Sequence, residues 1–483
     1  MSRTTSDGRT IPEQDLPWAK RSRADRDVPA IAIAWSLEEP ARVGEVALVA
    51  GASVLGRGPA TEDDTIPRVA FMRQRPGEQL PQPPLGGSRI SRKQLELRPV
   101  DDGRIEIVST GRVPLLVKGV EVKRCTVRAG DVVTLKNALV LVVTKRPPKL
   151  AAPTHALSSS FAFGAADPFG IVGESPSVWA LRESLAFAAA SEQHVLIQGP
   201  SGSGKELAAR TIHGLSKRAD KPIVTRNAAT FPEGLVDAEL FGNTKNYPNS
   251  GSPERAGLIG EADGSILFLD EIGELPPPMQ AHLLRVLDVG GEYQRLGESR
   301  VRRSDFRLVA ATNRELSSLK HDFAARLTVR VATPPLGDRR EDIPLLVRRI
   351  LALRSRDVPE LEPKFFERSP KGVLEPRIEP SLIEGLLQHG YTHHLRELER
   401  LVWLAISTSR DGYLARTPEV EAELEIESGQ EGEPDAAAIR AALADQKGSV
   451  TRAAKQLGLK NRFALYRLMK EHKIEADDAD ADE

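Results

Sequence analysis

The chain has 483 residues, 40% hydrophobic and 28% charged, and its 67 Lys and Arg against 68 Asp and Glu leave a formal net charge of −1. That length exceeds what one core serves and predicts roughly three domains, while the balanced charge excludes a globally basic nucleic-acid binder, so any such function must be local. A single cysteine, Cys125, excludes an internal disulfide and a multi-cysteine zinc site, and its expected place is that of a small buried hydrophobe.

Met1 to Lys20 is polar, and no apolar run approaches the ~20 residues of a membrane span, so the expected location is cytoplasmic with no membrane partner. Residues 1–29 read as a flexible arm. From 30 to 147, short β-branched runs such as Glu45 to Val49, Leu95 to Val100, Val132 to Leu135 and Leu139 to Val143 recur between Gly, Asp and Pro turns, the pattern of an all-β sandwich. Residues 148–168 are rich in Ala, Ser and Pro and read as a linker. Strands then alternate with helical stretches over 169–338, as a three-layer α/β domain requires. Residues 339–412 carry helical patterns alone. The segment 413–435 reads as an extended acidic tether, because Thr417 to Asp435 holds eight acids and no base. The sign then reverses. Gln446 to Lys473 holds eight Lys or Arg and only Glu471 as an acid, a local charge suited to DNA phosphates on a helical module at 436–474. Residues 475–483 form an acidic tail.

Chemistry concentrates in the middle. Gly199-Pro200-Ser201-Gly202-Ser203-Gly204-Lys205-Glu206 follows the apolar run His194 to Gln198 and precedes a helical stretch. Glycines in such a loop let backbone N–H groups turn around phosphates, and Lys205 reaches their outer oxygens at a helix N-terminus. Ile266 to Glu271 then reads as a buried strand ending in paired acids: Asp270 to hold Mg2+ and Glu271 to polarise the attacking water of ATP hydrolysis.

Further motifs give a family resemblance over about 171 to 408. Gly173-Glu174-Ser175-Pro176, Glu239-Leu240-Phe241-Gly242, Phe268 through Pro276 and Ala310-Ala311-Thr312-Asn313-Arg314 resemble the AAA+ domain of bacterial enhancer-binding proteins, the sigma-54-dependent activators. The resemblance implies an α/β ATPase with an α-helical lid and RNA polymerase with sigma-54 as partner. It also implies a role for Asn227 in coupling the catalytic glutamate to movement, and for Asn313 in sensing the terminal phosphate. Arg326 matches an arginine finger acting on a neighbouring subunit, which implies a homo-oligomeric, hexameric ring, and Arg396 matches the lid arginine that closes on the nucleotide. Glu206 after the lysine is this family's own habit.

Three positions depart from the family. Lys320 replaces a second arginine, and Tyr391-Thr392-His393-His394 replaces Trp-Pro-Gly-Asn before the lid arginine. The Gly-Ala-Phe-Thr-Gly-Ala tip that pushes on sigma-54 reads Asn246-Tyr247-Pro248-Asn249-Ser250-Gly251. Two readings of that tip stand: Tyr247 serves as a substitute aromatic contact, or the ring acts on a different partner.

The flanks resemble two known modules. Gly56-Arg57 and Ser91-Arg92-Lys93-Gln94 are similar to the phosphate-binding motifs of forkhead-associated (FHA) domains, with Gln for the usual His; this implies a phosphothreonine-containing partner held by Arg57, Ser91 and Arg92. Gly111-Arg112 stands where that family has Asn-Gly, and Arg112 either adds phosphate charge or is simply exposed. The C-terminal module resembles a Fis-like helix-turn-helix for enhancer-type DNA. Periodicity turns Leu465 and Leu468 inward and leaves Asn461, Arg462, Tyr466, Arg467 and Lys470 for DNA, the first two at base edges. The expected whole is a multidomain chain: β-sandwich, α/β P-loop ATPase with helical lid, and all-α helix-turn-helix.

Overall fold

The computed structural model describes residues 27–62, 64–155, 161–232, 234–288, 290–369, 372–410, 412–428, 436–446, 449–450, 453–454, 457, 465–466, 468–469 and 474. Its N-terminal part consists of twelve strands: β1 (Val28–Ser36), β2 (Val46–Leu48), β3 (Ser53–Leu55), β4 (Met72–Arg75), β5 (Glu78–Pro81), β6 (Leu95–Val100), β7 (Arg104–Ser109), β8 (Leu115–Val117), β9 (Val120–Val122), β10 (Arg124–Val127), β11 (Val132–Leu135) and β12 (Leu139–Arg146). They form two sheets, ordered β5-β4-β2-β1-β12-β11-β8-β9 and β10-β7-β6-β3, and Ile31, Ile33, Leu95, Leu97, Ile107, Leu139 and Leu141 meet between them.

The apolar pattern of β1 and β12 is continuous rather than alternating, because both faces of these strands are covered. Leu139, Leu141 and Val143 face the core between the sheets, whereas Val140 and Val142 join a second cluster with residues of the helical region 339–412. The sandwich is therefore docked on the rest of the chain. The segment 161–167 belongs to that docking surface and differs from the patternless linker expected over 148–168. Asp167 is buried and ion-paired to Arg182 at 3.0 Å, and the Phe161 and Trp179 rings stack with centroids 6.0 Å apart.

The middle of the chain runs α1 (Pro176–Ala190), β13 (Val195–Gln198), α2 (Lys205–Leu215), β14 (Val224–Asn227), α3 (Val236–Phe241), α4 (Leu258–Glu261), β15 (Ile266–Asp270), α5 (Pro277–Asp288), β16 (Glu292–Tyr293), β17 (Arg302–Arg303), β18 (Arg307–Thr312), α6 (His321–Arg326) and β19 (Val329–Ala332). Its parallel sheet has the order β14-β15-β18-β13-β19. The chain leaves β13 toward the far edge at β14, which opens a crevice at the carboxyl end of β13, where open α/β sheets bind ligands.

Helices follow: α7 (Ile343–Asp357), α8 (Leu361–Phe365), a small hairpin of β20 (Phe366–Arg368) and β21 (Leu374–Pro376), α9 (Pro380–Gln388), α10 (His394–Thr408), α11 (Pro418–Ser428) and α12 (Ala436–Asp445). Here α11 corrects the expected tether at 413–435. Val420 and Leu424, four residues apart, are buried in the helical core, and Glu423 pairs with Arg400 at 2.7 Å. Near the C-terminus, Ile439, Leu443, Val450, Leu465 and Leu468 form a separate small core. Among the described residues no helix is long and apolar enough to cross a membrane.

Candidate functional site

The loop after β13 is shaped by glycine. Gly202 and Gly204 have φ of 78° and 100°, in the left-handed region, and Gly204 leads directly into α2. A Cβ on Gly199 would lie 2.0 Å from Thr333 Oγ1, so this position admits only glycine. Thr333, just past β19, shares a hydrogen bond of 2.7 Å with Ser203 Oγ, which also donates to the Pro200 carbonyl at 2.8 Å. Lys205 is buried; its ammonium donates to the carbonyls of Gly199 (3.1 Å) and Pro200 (3.3 Å) and lies 3.7 Å from Glu271 Oε1. Glu206 points elsewhere, accepting from Arg210 one turn on at 2.7 Å.

Parallel pairing of β14 with β15 sets Asn227 opposite Asp270. Asn227 Oδ1 accepts from the Ala229 N–H at 2.9 Å. Burial pushes the Asp270 carboxyl above its ordinary range, with a smaller contribution from neighbouring Glu271, although one carboxylate oxygen accepts from Glu271 N at 2.9 Å. Glu271 itself sits at φ 50°, a conformation few non-glycine residues adopt, which turns the chain sharply at the end of β15. Asn313 is exposed directly after β18, the strand between β15 and β13.

The helical region closes over the loop from above. Arg396 Nη1 donates to Ser201 Oγ at 3.3 Å, and the Leu395 N–H donates to the Gly202 carbonyl at 3.2 Å. The turn before Arg396 has neither proline nor glycine, and a buried carboxylate shapes it instead. Glu397 accepts from the backbone N–H groups of Thr392 and His393, both at 2.9 Å, and pairs with His389 Nε2 at 2.6 Å. Sequence reasoning missed Thr333 and Glu397. The signal for Glu397 was its place three residues into α10, where a carboxylate can reach back to free N–H groups.

Arg326 is not in this group. It ends α6, exposed, and its Nε lies 2.5 Å from Asp288 at the end of α5. Lys320 immediately precedes α6, with its N–H donating to Gln280 at 2.9 Å.

The tip 246–251 is folded on itself. Asn246 has φ 66° and accepts from Gly251 N at 3.0 Å, while Asn243 Nδ2 donates to the carbonyls of Thr244, Tyr247 and Pro253. Tyr247 lies over Gly297, where a Cβ would come within 2.7 Å of the ring, yet remains 40% exposed.

In the sandwich, Arg57, Gly58, Pro59, Thr61, Gly86 and Arg92 line a cavity of about 300 Å3. The Arg57 N–H donates to the Ser91 carbonyl at 3.1 Å, and Gly56 lies against the Arg92 carbonyl, 1.9 Å from where a Cβ would stand. Gln94 is fully buried beneath: it donates to the Val113 carbonyl at 2.8 Å and accepts from Ser91 N at 3.2 Å. Gly111 covers that amide, and Arg112, whose N–H donates to Ser91 Oγ at 3.0 Å, is exposed. Of the expected DNA contacts, Tyr466 is 38% exposed, whereas Asn461, Arg462, Arg467 and Lys470 lie outside the described residues.

A lysine-bearing loop, a strand ending in Asp-Glu and a helical lid around one crevice serve nucleotide hydrolysis, and the chain is a P-loop ATPase of the AAA+ class. Residues 171–336 match the sigma-54 interaction domain. The chain is 37% identical over 335 residues to the transcriptional regulatory protein ZraR of Escherichia coli (strain K12), covering 66% of this chain and 73% of that protein. It is 39% identical over 240 residues to the Nif-specific regulatory protein of Bradyrhizobium diazoefficiens, covering 48% of this chain and 39% of that one. Among solved structures it is similar to NtrX from Brucella abortus in complex with ADP, with 29% identity and a TM-score of 0.45 over 63% of this chain and 69% of that one. The chain belongs to the family of sigma-54-dependent transcriptional regulators.

Proposed function

We propose that this chain is a cytoplasmic, ATP-driven, DNA-bound regulator that acts on sigma-54 RNA polymerase and is controlled by phosphothreonine recognition in its FHA-like sandwich. The observation that carries the ATPase half is the convergence of Lys205, Glu271 and Arg396 on one glycine loop, from the α/β layer below and the lid above. Backbone N–H groups of 199–206 and Lys205 bind the phosphates, and Arg396 clamps them from the lid. Asp270 suits Mg2+, because a desolvated carboxylate with one oxygen already fixed by Glu271 N gains most from a cation at the other. Mg2+ there would neutralise charge developing on the phosphates. Glu271 orients water and accepts its proton, Asn227 and Asn313 report on the catalytic carboxylate and terminal phosphate, and Arg326 acts on the neighbouring protomer of a hexameric ring. Its exposure at the end of α6, away from its own loop, supports that role. Hydrolysis by wild type, lost in Glu271→Gln with nucleotide binding retained, tests the assignment; undiminished turnover in the variant would refute it.

The sandwich reading rests on Arg57, Ser91 and Arg92 around one small polar cavity, with Gln94 holding the loops. Arg57 and Arg92 supply charge to a phosphothreonine, and Ser91 a hydroxyl. Titration with phosphorylated and unphosphorylated threonine peptides tests it, and equal affinity would refute it. The C-terminal module, on which Tyr466 is exposed, binds enhancer-type DNA, with Asn461, Arg462, Arg467 and Lys470 as the further contacts assigned from sequence; loss of specific binding in Arg462→Ala is the expected result.

The second reading, a DNA- and ATP-binding regulator that does not remodel sigma-54 polymerase, draws on the tip. The Asn243 and Asn246 hydrogen bonds and the seat of Tyr247 on Gly297 favour a closed loop over one that extends.

A further inference from the structure

We propose that the β-sandwich is a clamp across the hinge between the α/β layer and the lid, and that Arg75, Arg146 and Arg348 are positioning residues for nucleotide binding. The hinge is the stretch 336–342, which joins β19 to α7. On its α/β side, Glu174 is a saturated hub. Its carboxylate receives Arg75 Nη2 at 2.5 Å and Arg75 Nε at 3.0 Å from strand β4, the Gly164 N–H at 2.8 Å and Trp179 Nε1 at 3.1 Å. The Arg75 guanidinium also donates to the Phe161 carbonyl and lies over the Phe161 ring, 4.5 Å from its centroid. Glu174 N and Ser175 N donate in turn to the hinge carboxylate Asp342, at 2.7 and 3.0 Å.

On the lid side, Arg146 at the end of β12 pairs with Glu341 at 2.9 Å and donates to the Glu174 carbonyl at 3.3 Å, touching both halves. Arg348 of α7 donates to the Pro40 carbonyl of the sandwich at 2.5 Å, and α7 and α9 cover the outer face of β1 and β12. Gly164 leaves no room for a Cβ beside Leu345 of α7, which would lie 2.9 Å from it. The sandwich thus grips both sides of the hinge at the angle where Leu395 N reaches the Gly202 carbonyl and Arg396 reaches Ser201. Two rigid bodies held by a third lose the hinge freedom that nucleotide would otherwise have to restrain, so the clamp pre-organises the lid.

The test uses the full chain with Arg75→Gln and, at the rim of the interface, Arg348→Met, each titrated with fluorescent ATP and ADP analogues and assayed for hydrolysis. The clamp predicts that each variant raises the Kd for both nucleotides, and the KM for ATP, by at least about fivefold. It further predicts that kcat at saturating ATP is retained, that the Leu395 amide exchanges faster, and that Arg348→Lys recovers the affinity. Because Arg75 is a buried ion-pair partner and its removal can destabilise the fold, Arg348→Met decides the matter by the same criteria if Arg75→Gln does not fold. Wild-type nucleotide affinity in Arg348→Met, or in a folded Arg75→Gln, would overturn the proposal.

Discussion

Replacing Gly202 by alanine isolates the contact between lid and phosphate loop, and Gly204→Ala is its control. Both glycines sit at positive φ, 78° and 100°, so an alanine at either costs about 1–2 kcal/mol of backbone strain. Only Gly202 has a neighbour. A Cβ there would stand 2.4 Å from the His393 carbonyl oxygen, whereas nothing lies within 4 Å of one on Gly204. Ordinary contact begins at 3.4 Å, so that carbonyl must retreat by about 1 Å, which breaks the Leu395 N–H bond to Gly202 at a further cost of about 1 kcal/mol. At tenfold per 1.4 kcal/mol, Gly204→Ala should weaken nucleotide binding about tenfold and Gly202→Ala on the order of a hundredfold. Equilibrium titration with a fluorescent nucleotide, paired with hydrogen exchange at Leu395, reads both. Equal losses in the two variants, or an unchanged Leu395 amide in Gly202→Ala, would refute the view that the lid rests on the loop.

Three other outcomes follow from the same geometry. Arg326→Ala should lower kcat on the order of a thousandfold; mixing it with Glu271→Gln subunits should restore part of the rate, and no recovery in mixed rings would contradict action across subunits. Gln94→Ala strands Ser91 N and the Val113 carbonyl, costing about 1–3 kcal/mol of sandwich stability by denaturant titration and weakening phosphopeptide binding. Burial and nearby Arg307 hold His194 down at about 4, with its Nδ1 accepting from Leu308 N. A folded-state value below the ordinary 6.5 means the unfolded chain binds the extra proton, so stability is full above 6.5 and falls as pH drops toward 4. From pH 7 to 5 that loss is about 2 kcal/mol, and His194→Asn, which keeps an acceptor, should flatten it.

The nucleotide site was legible in the sequence because its parts are local. A glycine loop between strand and helix, and a strand ending in Asp-Glu, carry their geometry within a few residues. Glu397 and Thr333 were not legible, since each acts through the fold: Glu397 replaces missing turn residues by reaching back to Thr392 and His393, and Thr333 meets Ser203 from 130 residues away. The acidic run after 417 misled for a different reason. Its charge count outweighed the spacing of Val420 and Leu424, whose burial only lid helices could supply. The docking of the sandwich left a trace in the two-sided apolar strands β1 and β12, but its Arg75–Glu174 core joins positions 99 residues apart and obeys no local pattern.

The central proposal, that ATP hydrolysis by this chain opens promoter DNA held by sigma-54 polymerase, meets its most direct test in open-complex formation. Wild type is compared with a variant carrying Gly-Ala-Phe-Thr-Gly-Ala at 246–251, with ATPase activity followed in parallel. The account predicts ATP-dependent opening by wild type through Tyr247; opening by the restored variant alone, with both hydrolysing ATP, would contradict it.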